Sequence, residues 1–345
     1  MQYIGLDAHK SQWTFCVLDE NGKNVVTKTV HGEWPMLIKA METIERPFKI
    51  CFEASCGAGF LHDQLKKIAV DVMVANPNKL ALIYVAKRKN DRLDAERLAK
   101  LLYLELVPKV HIPKSEIRAW RSLIEYRRRL MGGRTMIKNR IRALLRGAGK
   151  SFTGSLWTRA GLAWLSAEKF DQPIDAVHRD MLVSELTEAN EKIRKVTKEL
   201  DRMSEKNPNV KLVMTIPGVG IRTAEAFVAY IDEAKRFSKT KTIGSYLGLV
   251  PTQDQSCAKN HLGRITRQGP SVVRWLLTEA AWEGIRRSPQ IRAFYERIRR
   301  NDPQRNKIAA VATAHYLARV MLAMMQSGEV WQEKTSAQDP KRKAS

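Results

Sequence analysis

Four carboxylates occupy positions where an acid is hard to explain as decoration. Asp7 lies in an apolar run, Tyr3-Ile4-Gly5-Leu6-Asp7, and Glu53 closes another, Ile50-Cys51-Phe52-Glu53. A carboxylate in or at the end of a buried strand is costly unless it is paired or holds a metal. Asp91 and Asp94 stand three apart in Lys89-Asn90-Asp91-Arg92-Leu93-Asp94-Ala95. On a helix that spacing puts both on one face, with about 5–6 Å between Cβ atoms. Two strands and one helix would then supply the all-oxygen ligand set that hard divalent cations take. Two such ions about 3.5–4 Å apart activate the attacking oxygen and stabilise the leaving one in phosphodiester cleavage. Each acid also has a plainer reading: Asp94 paired with Arg97, Asp91 as a helix N-cap, Glu53 facing water at a strand end. Asp7 is the hardest to dismiss.

A second set lies far along the chain. Gly244-Ser245-Tyr246-Leu247-Gly248-Leu249-Val250-Pro251 leads into a polar stretch, read as a loop, through Gln255-Ser256-Cys257 to Gly263-Arg264-Ile265-Thr266-Arg267-Gln268-Gly269-Pro270. Ser256, with Lys259, Arg264 and Arg267 nearby, could attack a phosphate while the cations stabilise the crowded transition state. Most serines in such loops are ordinary, and His261 reads equally as acid-base group or polar loop residue. Upstream, Ile216-Pro217-Gly218-Val219-Gly220 has the form of a helix-hairpin-helix turn. Gly218 and Gly220 would let backbone N–H groups at the next helix approach a phosphate. A plain helix–helix turn fits as well.

Charge says what such groups would act on. The 345 residues hold 60 Lys and Arg against 36 Asp and Glu, a net charge of +24. Residues 1–110 carry +3, residues 111–206 carry +9 and residues 207–345 carry +12. Lys114–Lys150 alone has 12 basic and two acidic side chains. A one-sign stretch of this length repels itself unless a polyanion neutralises it, which favours nucleic acid over a bland basic surface or a membrane-surface helix. Arg118, Arg121, Arg127, Arg128, Arg129, Lys138 and Arg142 are the contact candidates there, with Gly218, Gly220, Lys259, Arg264 and Arg267 in the C-terminal third.

The elements that must position these groups follow from periodicity. Strands are expected over Tyr3–Leu6, Trp13–Leu18 and Val25–Val30, the last two joined by a Glu20-Asn21-Gly22-Lys23 turn. Helix over Met36–Ile44, strand over Lys49–Phe52, helix over Phe60–Ile68 and strand over Val70–Val74 come next. Asn76-Pro77 opens a helix to about Ala86, and another runs from about Asp91 to Leu104. The pattern describes a mixed sheet covered by helices over residues 1–110. Residues 111–206 read as a basic helical connector: Ser115–Arg146 keeps helical spacing with a kink or break at Gly132-Gly133, and Asp175–Met203 could pair with it as an antiparallel hairpin. Residues 207–330 read as helical with Gly-rich turns, and 331–345 as a polar, disordered tail.

At 44% hydrophobic and 28% charged, the chain is foldable. No run of 18 uninterrupted apolar residues predicts a membrane span, and Ile308–Met325, with His315 and Arg319, reads as a buried helix. No leader is recognisable at the start, and the four cysteines lack metal or disulfide spacing, so a reducing cytoplasm is expected.

The motifs resemble those of the DEDD transposases of the IS110 insertion-sequence family, recombinases guided by a bridge RNA. Gly5-Leu6-Asp7-Ala8-His9-Lys10, Phe52-Glu53-Ala54-Ser55 and Lys89-Asn90-Asp91-Arg92-Leu93-Asp94-Ala95 look like its three acidic motifs. Pro217-Gly218-Val219-Gly220 and Leu247-Gly248-Leu249-Val250-Pro251 followed by Ser256 look like its second conserved domain. Cys257 and Pro270 depart from the family's usual Gly and Asn. The resemblance implies an α/β plus all-α architecture: a RuvC-like RNase H fold at the N-terminus, a long coiled-coil-like connector and a mainly helical C-terminal transposase domain. It implies Mg²⁺, with Mn²⁺ as substitute, on Asp7, Glu53, Asp91 and Asp94, and a phosphoserine at Ser256. It further implies donor and target DNA, a guide RNA and a dimer or tetramer. From the residues alone, a RuvC-like nuclease or junction resolvase using water stands nearly level with it, and a non-catalytic nucleic-acid-binding protein remains a weaker third.

Overall fold

The computed structural model describes residues 1–83, 90–256 and 259–333, without the side chains of 254–261. The expected tail lies almost wholly outside the described residues, as do Cys257 and the end of the helix opened by Pro77. The chain divides into two compact units, Met1–Arg118 and Ala119–Ser345.

The first unit is a five-stranded sheet with helices on both faces. Its elements are β1 (Gln2–Ala8), β2 (Gln12–Leu18), β3 (Asn24–His31), α1 (Trp34–Glu42), β4 (Phe48–Glu53), α2 (Ala58–Leu65), β5 (Asp71–Ala75), α3 (Pro77–Ile83) and α4 (Asp91–Tyr103). The strand order is β3-β2-β1-β4-β5. β1 and β2 pair antiparallel, as do β2 and β3, while β1, β4 and β5 run parallel. Alternation along β1 assigns the two faces. Ile4 and Leu6 join Phe15, Ile50 and Phe52 in a core closed by Leu37 and Met41 of α1 and Leu61 and Leu65 of α2. Tyr3 and Gly5 turn to the opposite face, where α4 lies.

The second unit is mainly helical: α5 (Ser115–Gly147), which starts within the first unit, then α6 (Arg159–Ala167), α7 (Pro173–Glu205), α8 (Pro208–Val213), α9 (Ile221–Ile231) and α10 (Thr242–Leu247). β6 (Pro251–Ser256), β7 (Lys259–Ile265), α11 (Ser271–Arg287), α12 (Pro289–Arg299) and α13 (Asn306–Ser327) complete it. α5 and α7 pair antiparallel: Ile141 and Leu145 share a buried cluster with Leu182 and Leu186, and Arg127 Nε donates to Thr197 Oγ1 at 2.9 Å. Gly132-Gly133 does not break α5, which runs unbroken for 33 residues. Each glycine costs a helix only about 1 kcal/mol relative to Ala, so strong formers on both sides carry it through.

The polar stretch around Ser256 is also not a loop. It is an antiparallel hairpin, with Gln253 opposite Leu262 and Ser256 opposite Lys259. Thr-Gln-Asp-Gln-Ser is polar on both faces, so no alternation of apolar and polar residues marks it as a strand. α13 is long and apolar enough by composition to cross a membrane. In the structure Ala309, Ala310, Ala314, Leu317, Ala318, Met321 and Leu322 along it are buried.

Candidate active site

A glycine sets the geometry of the site. A Cβ on Gly5 would meet the Ala95 carbonyl oxygen at 2.0 Å and the Ala99 nitrogen at 2.3 Å, so only glycine lets α4 lie directly on β1. The two elements run antiparallel. Tyr3 meets Tyr103 edge-on at 5.3 Å near one end, and Asp7 meets the first turn of α4 at the other. That first turn opens on Asn90, whose side chain accepts from the Arg92 N–H at 3.0 Å and caps the helix. Asp91 is therefore not the cap. It and Asp94 are free to face the strand, and the helix N-terminus favours their charge.

Asp7, His9 and Asp91 offer ligand atoms that all lie within 4.8 Å of one another. His9 Nε2 is 3.2 Å from Asp7 Oδ2 and 3.8 Å from Asp91 Oδ1. Gln12 Nε2 donates to Asp91 Oδ2 at 2.8 Å and fixes its second oxygen. Burial pushes the Asp7 carboxyl above the ordinary range; His9 opposes this, and the charges of Asp91 and Asp94 add to it. A carboxyl raised by burial and by neighbouring acids is what a bound cation relieves, and an oxygen-rich donor set of this kind fits a divalent ion.

Asp94 stands outside the tight group, with Arg97 Nη1 at 2.9 Å from its Oδ1. Glu53 is also outside it. β1 and β4 pair in parallel register up to Leu6 opposite Phe52, so Asp7 and Glu53 end neighbouring strands side by side. Glu53 shares the parity of Cys51, which packs with Tyr3 on the α4 face. Three of the four predicted acids thus gather where β1 meets α4, and the fourth ends the adjoining strand. His9 and Gln12 were not singled out from sequence. His9 had a signal, since two residues beyond Asp7 on a strand is the same face. Gln12, brought in by the β1–β2 pairing, had none.

The predicted cations divide. Arg118 Nη1 donates to the Pro113 carbonyl at 2.6 Å and its other nitrogen pairs with Asp63. Arg121 donates to the carbonyls of Ala229 and Tyr230 at 2.8 and 3.1 Å, and Arg127 to Thr197. Arg128 pairs with Glu125 at 2.9 Å, while Arg129 is exposed. Lys138 and Arg142 lie over the Trp157 ring at 4.6 and 5.2 Å. Gly220 is open around its missing Cβ. Gly218 (φ 91°) is pressed against Gly284, whose nitrogen would be 2.4 Å from a Cβ there, so α11 uses its bareness. Ser256 and Lys259 face each other across the hairpin register, and Arg264 and Arg267 are exposed on its outgoing strand and stem.

The family described as Transposase, of the DEDD IS110 type, matches residues 4–149, which hold all four carboxylates. A second, described as Transposase IS116/IS110/IS902 family, matches residues 210–296, which hold Ser256. The chain is an insertion-sequence transposase of the IS110 family. Among relatives, the transposase for insertion sequence element IS1111A of Coxiella burnetii is 26% identical over 81% of this chain and 77% of its own length. The transposase for insertion sequence element IS1328 of Yersinia enterocolitica is 24% identical over 81% of this chain and 82% of its own. A Sinorhizobium fredii relative aligns with 96% of this chain at 27% identity. As a transposase this protein is an enzyme that cleaves and rejoins DNA, and the family uses a divalent metal.

Proposed function

We propose that this transposase exchanges DNA strands with two sets of groups, a divalent-metal site on Asp7, Glu53, Asp91 and Asp94 and a nucleophile at Ser256. The observation that carries the reading is the convergence of Asp7, His9 and Asp91 within 4.8 Å at the junction of β1 and α4. Mg²⁺ or Mn²⁺ held there would polarise the phosphoryl oxygens and stabilise developing charge. Asp7 and Asp91 would supply ligand oxygens, His9 a further donor and Gln12 the orientation of Asp91. The sheet order β3-β2-β1-β4-β5, with acids at the ends of β1 and β4, supports the RuvC-like, RNase H reading of the first unit.

Ser256 Oγ would form a bond to phosphorus as the bond to the leaving DNA oxygen breaks, and that oxygen departs as a hydroxyl with the serine's proton. Attack by a hydroxyl of the partner strand would reverse the step and free the serine. Arg264 and Arg267, exposed on the hairpin, are suited to hold phosphates. Along α5, the exposed Arg129 together with Lys138 and Arg142 would contact nucleic acid, DNA or the guide RNA. Guidance by RNA, a dimer or tetramer, and action on nucleoid DNA in the cytoplasm belong to the same reading and rest on the family resemblance.

The test is Mg²⁺-dependent cleavage of DNA spanning the element's junction, with Mn²⁺ binding followed by electron paramagnetic resonance. Asp7→Asn and Asp91→Asn should lose both metal binding and cleavage. Cleavage at the wild-type rate in either variant would sink the metal assignment.

A further inference from the structure

Among its described residues the hairpin β6–β7 buries few apolar side chains. Of its large apolar residues among those described, Leu262 is 65% exposed and Ile265, at the stem, is half-buried, while Thr252 and Gln253 are exposed. A two-stranded hairpin without an apolar face is marginal in water, so its direction must be set at its stem.

That stem is built tightly. The Thr266 N–H donates to the Val250 carbonyl at 2.9 Å, and the Arg267 N–H to that of Gly248 at 3.2 Å. Gly248 (φ 66°) ends α10 against the outgoing chain, where a Cβ would lie 2.1 Å from the Gln268 carbonyl oxygen. Gly269 (φ 76°) returns the arrangement, a Cβ there lying 2.1 Å from the Tyr246 carbonyl oxygen. Between them Arg267 adopts φ 56°, unfavourable for a residue with a Cβ. One side chain ties these legs together. Arg274 Nη1 lies 3.0 Å from the Leu247 carbonyl oxygen, on the incoming leg, and 2.8 and 2.9 Å from those of Gln268 and Gly269, on the outgoing leg. Arg274 stands in the first turns of α11, where the helix dipole disfavours a cation. Its position is explained by the three carbonyls, not by the helix.

We infer that Arg274 is a positioning residue for strand transfer: its guanidinium clamps both legs of the β6–β7 hairpin and so aims the strand that ends at Ser256. The effect on reaction rests on the proposed nucleophilic role of Ser256; the clamp itself does not. Lysine is a poor substitute, because one terminal nitrogen, Nη1, makes all three contacts and a lysine ammonium on its flexible stem ends one bond short of that position.

The full-length protein carries the test, by hydrogen exchange and by single-turnover formation of the covalent protein–DNA adduct at saturating DNA. In Arg274→Ala, amides of residues 251–265 should exchange about tenfold faster or more, as expected for a local opening, while α9 and α13 keep their protection. Adduct formation should slow by roughly the same factor at unchanged DNA affinity, and Arg274→Lys should not restore it. Millimolar guanidinium ion added to Arg274→Ala should recover part of both. Unchanged hairpin exchange, faster exchange throughout the second unit, or a wild-type rate in Arg274→Lys would each overturn the clamp. An adduct that persists in Ser256→Ala refutes the serine reading alone, and the exchange data still decide the clamp.

Discussion

Gly5 and Ala95 are in backbone contact across the junction of β1 and α4: a methyl group on Gly5 would lie 2.0 Å from the Ala95 carbonyl oxygen. Helix backbone cannot yield as a flexible side chain would. Gly5→Ala should therefore push α4 off the sheet and destabilise the first unit by about 1–3 kcal/mol or more. The same shift carries Asp91 away from Asp7, so Mn²⁺ affinity should fall with the unfolding midpoint. A variant that keeps both would show that the close approach does not set the site.

Gln12 acts on the site through Asp91, whose Oδ2 it holds at 2.8 Å. Gln12→Leu removes that donor while leaving every proposed ligand residue in place. Groups that orient metal ligands typically contribute about 10- to 100-fold in affinity or activity, and a loss in that range is expected here in Mn²⁺ titration. An unchanged titration would mean that Asp91 is oriented without it.

Much of this site was legible in the sequence, for a definite reason. Asp7 and Glu53 interrupt or close strongly apolar strands, and Asp91 and Asp94 stand three apart at the start of a helical run, although the sequence offered Asp91 rather than Asn90 as its cap. Single residues at odds with their surroundings survive errors of a residue or two in strand and helix limits. The β6–β7 hairpin was not legible, because its strands are polar on both faces and it is held by carbonyl contacts to Arg274 that no local pattern encodes. Nor were the inward-facing arginines. Arg118, Arg121 and Arg127 read as part of a basic face, yet each has an acceptor 55 to 109 residues away in sequence, Arg118 besides its bond to nearby Pro113. Gly132-Gly133 misled in the opposite sense, because local propensity suggested a break that a 33-residue helix overrides.

That division among the cations makes a prediction about binding. Lys138 and Arg142 donate to no acid among the described residues and flank Trp157. Lys138→Gln with Arg142→Gln should weaken nucleic-acid binding similarly for all sequences and flatten the slope of log affinity against log salt by about one for each phosphate left without its cation. Arg121→Gln should instead lower the unfolding midpoint, since it takes the Arg121 donor from the Ala229 carbonyl and leaves the Tyr230 carbonyl to Tyr246 and Arg236 alone. A salt slope unchanged in the double variant would remove α5 from the interface.

Glu225 predicts a pH dependence of stability. It is 1% exposed, with Ser204 Oγ donating at 2.9 Å and Arg222 Nη1 forming an ion pair at 3.0 Å, and burial pushes its carboxyl up to about 7. A carboxyl raised in the folded state favours folding most below its unfolded value near 4.5, and that contribution is lost as pH rises through about 7. Glu225→Gln should therefore gain on the wild type between pH 5 and pH 8.5, by up to about 3 kcal/mol. Denaturant unfolding of the two proteins at both pH values measures it, and parallel pH profiles would contradict it.

The most direct test of metal-and-serine strand exchange is a covalent-adduct assay. Purified protein, Mg²⁺, its co-purified RNA and labelled DNA spanning the element's junction are combined and resolved under denaturing conditions. A slow, protein-linked DNA band is expected, and it should disappear in Ser256→Ala and in Asp7→Asn alike. Cleavage without that band, still abolished by Asp7→Asn and untouched by Ser256→Ala, would contradict the serine mechanism and leave a metal nuclease that uses water.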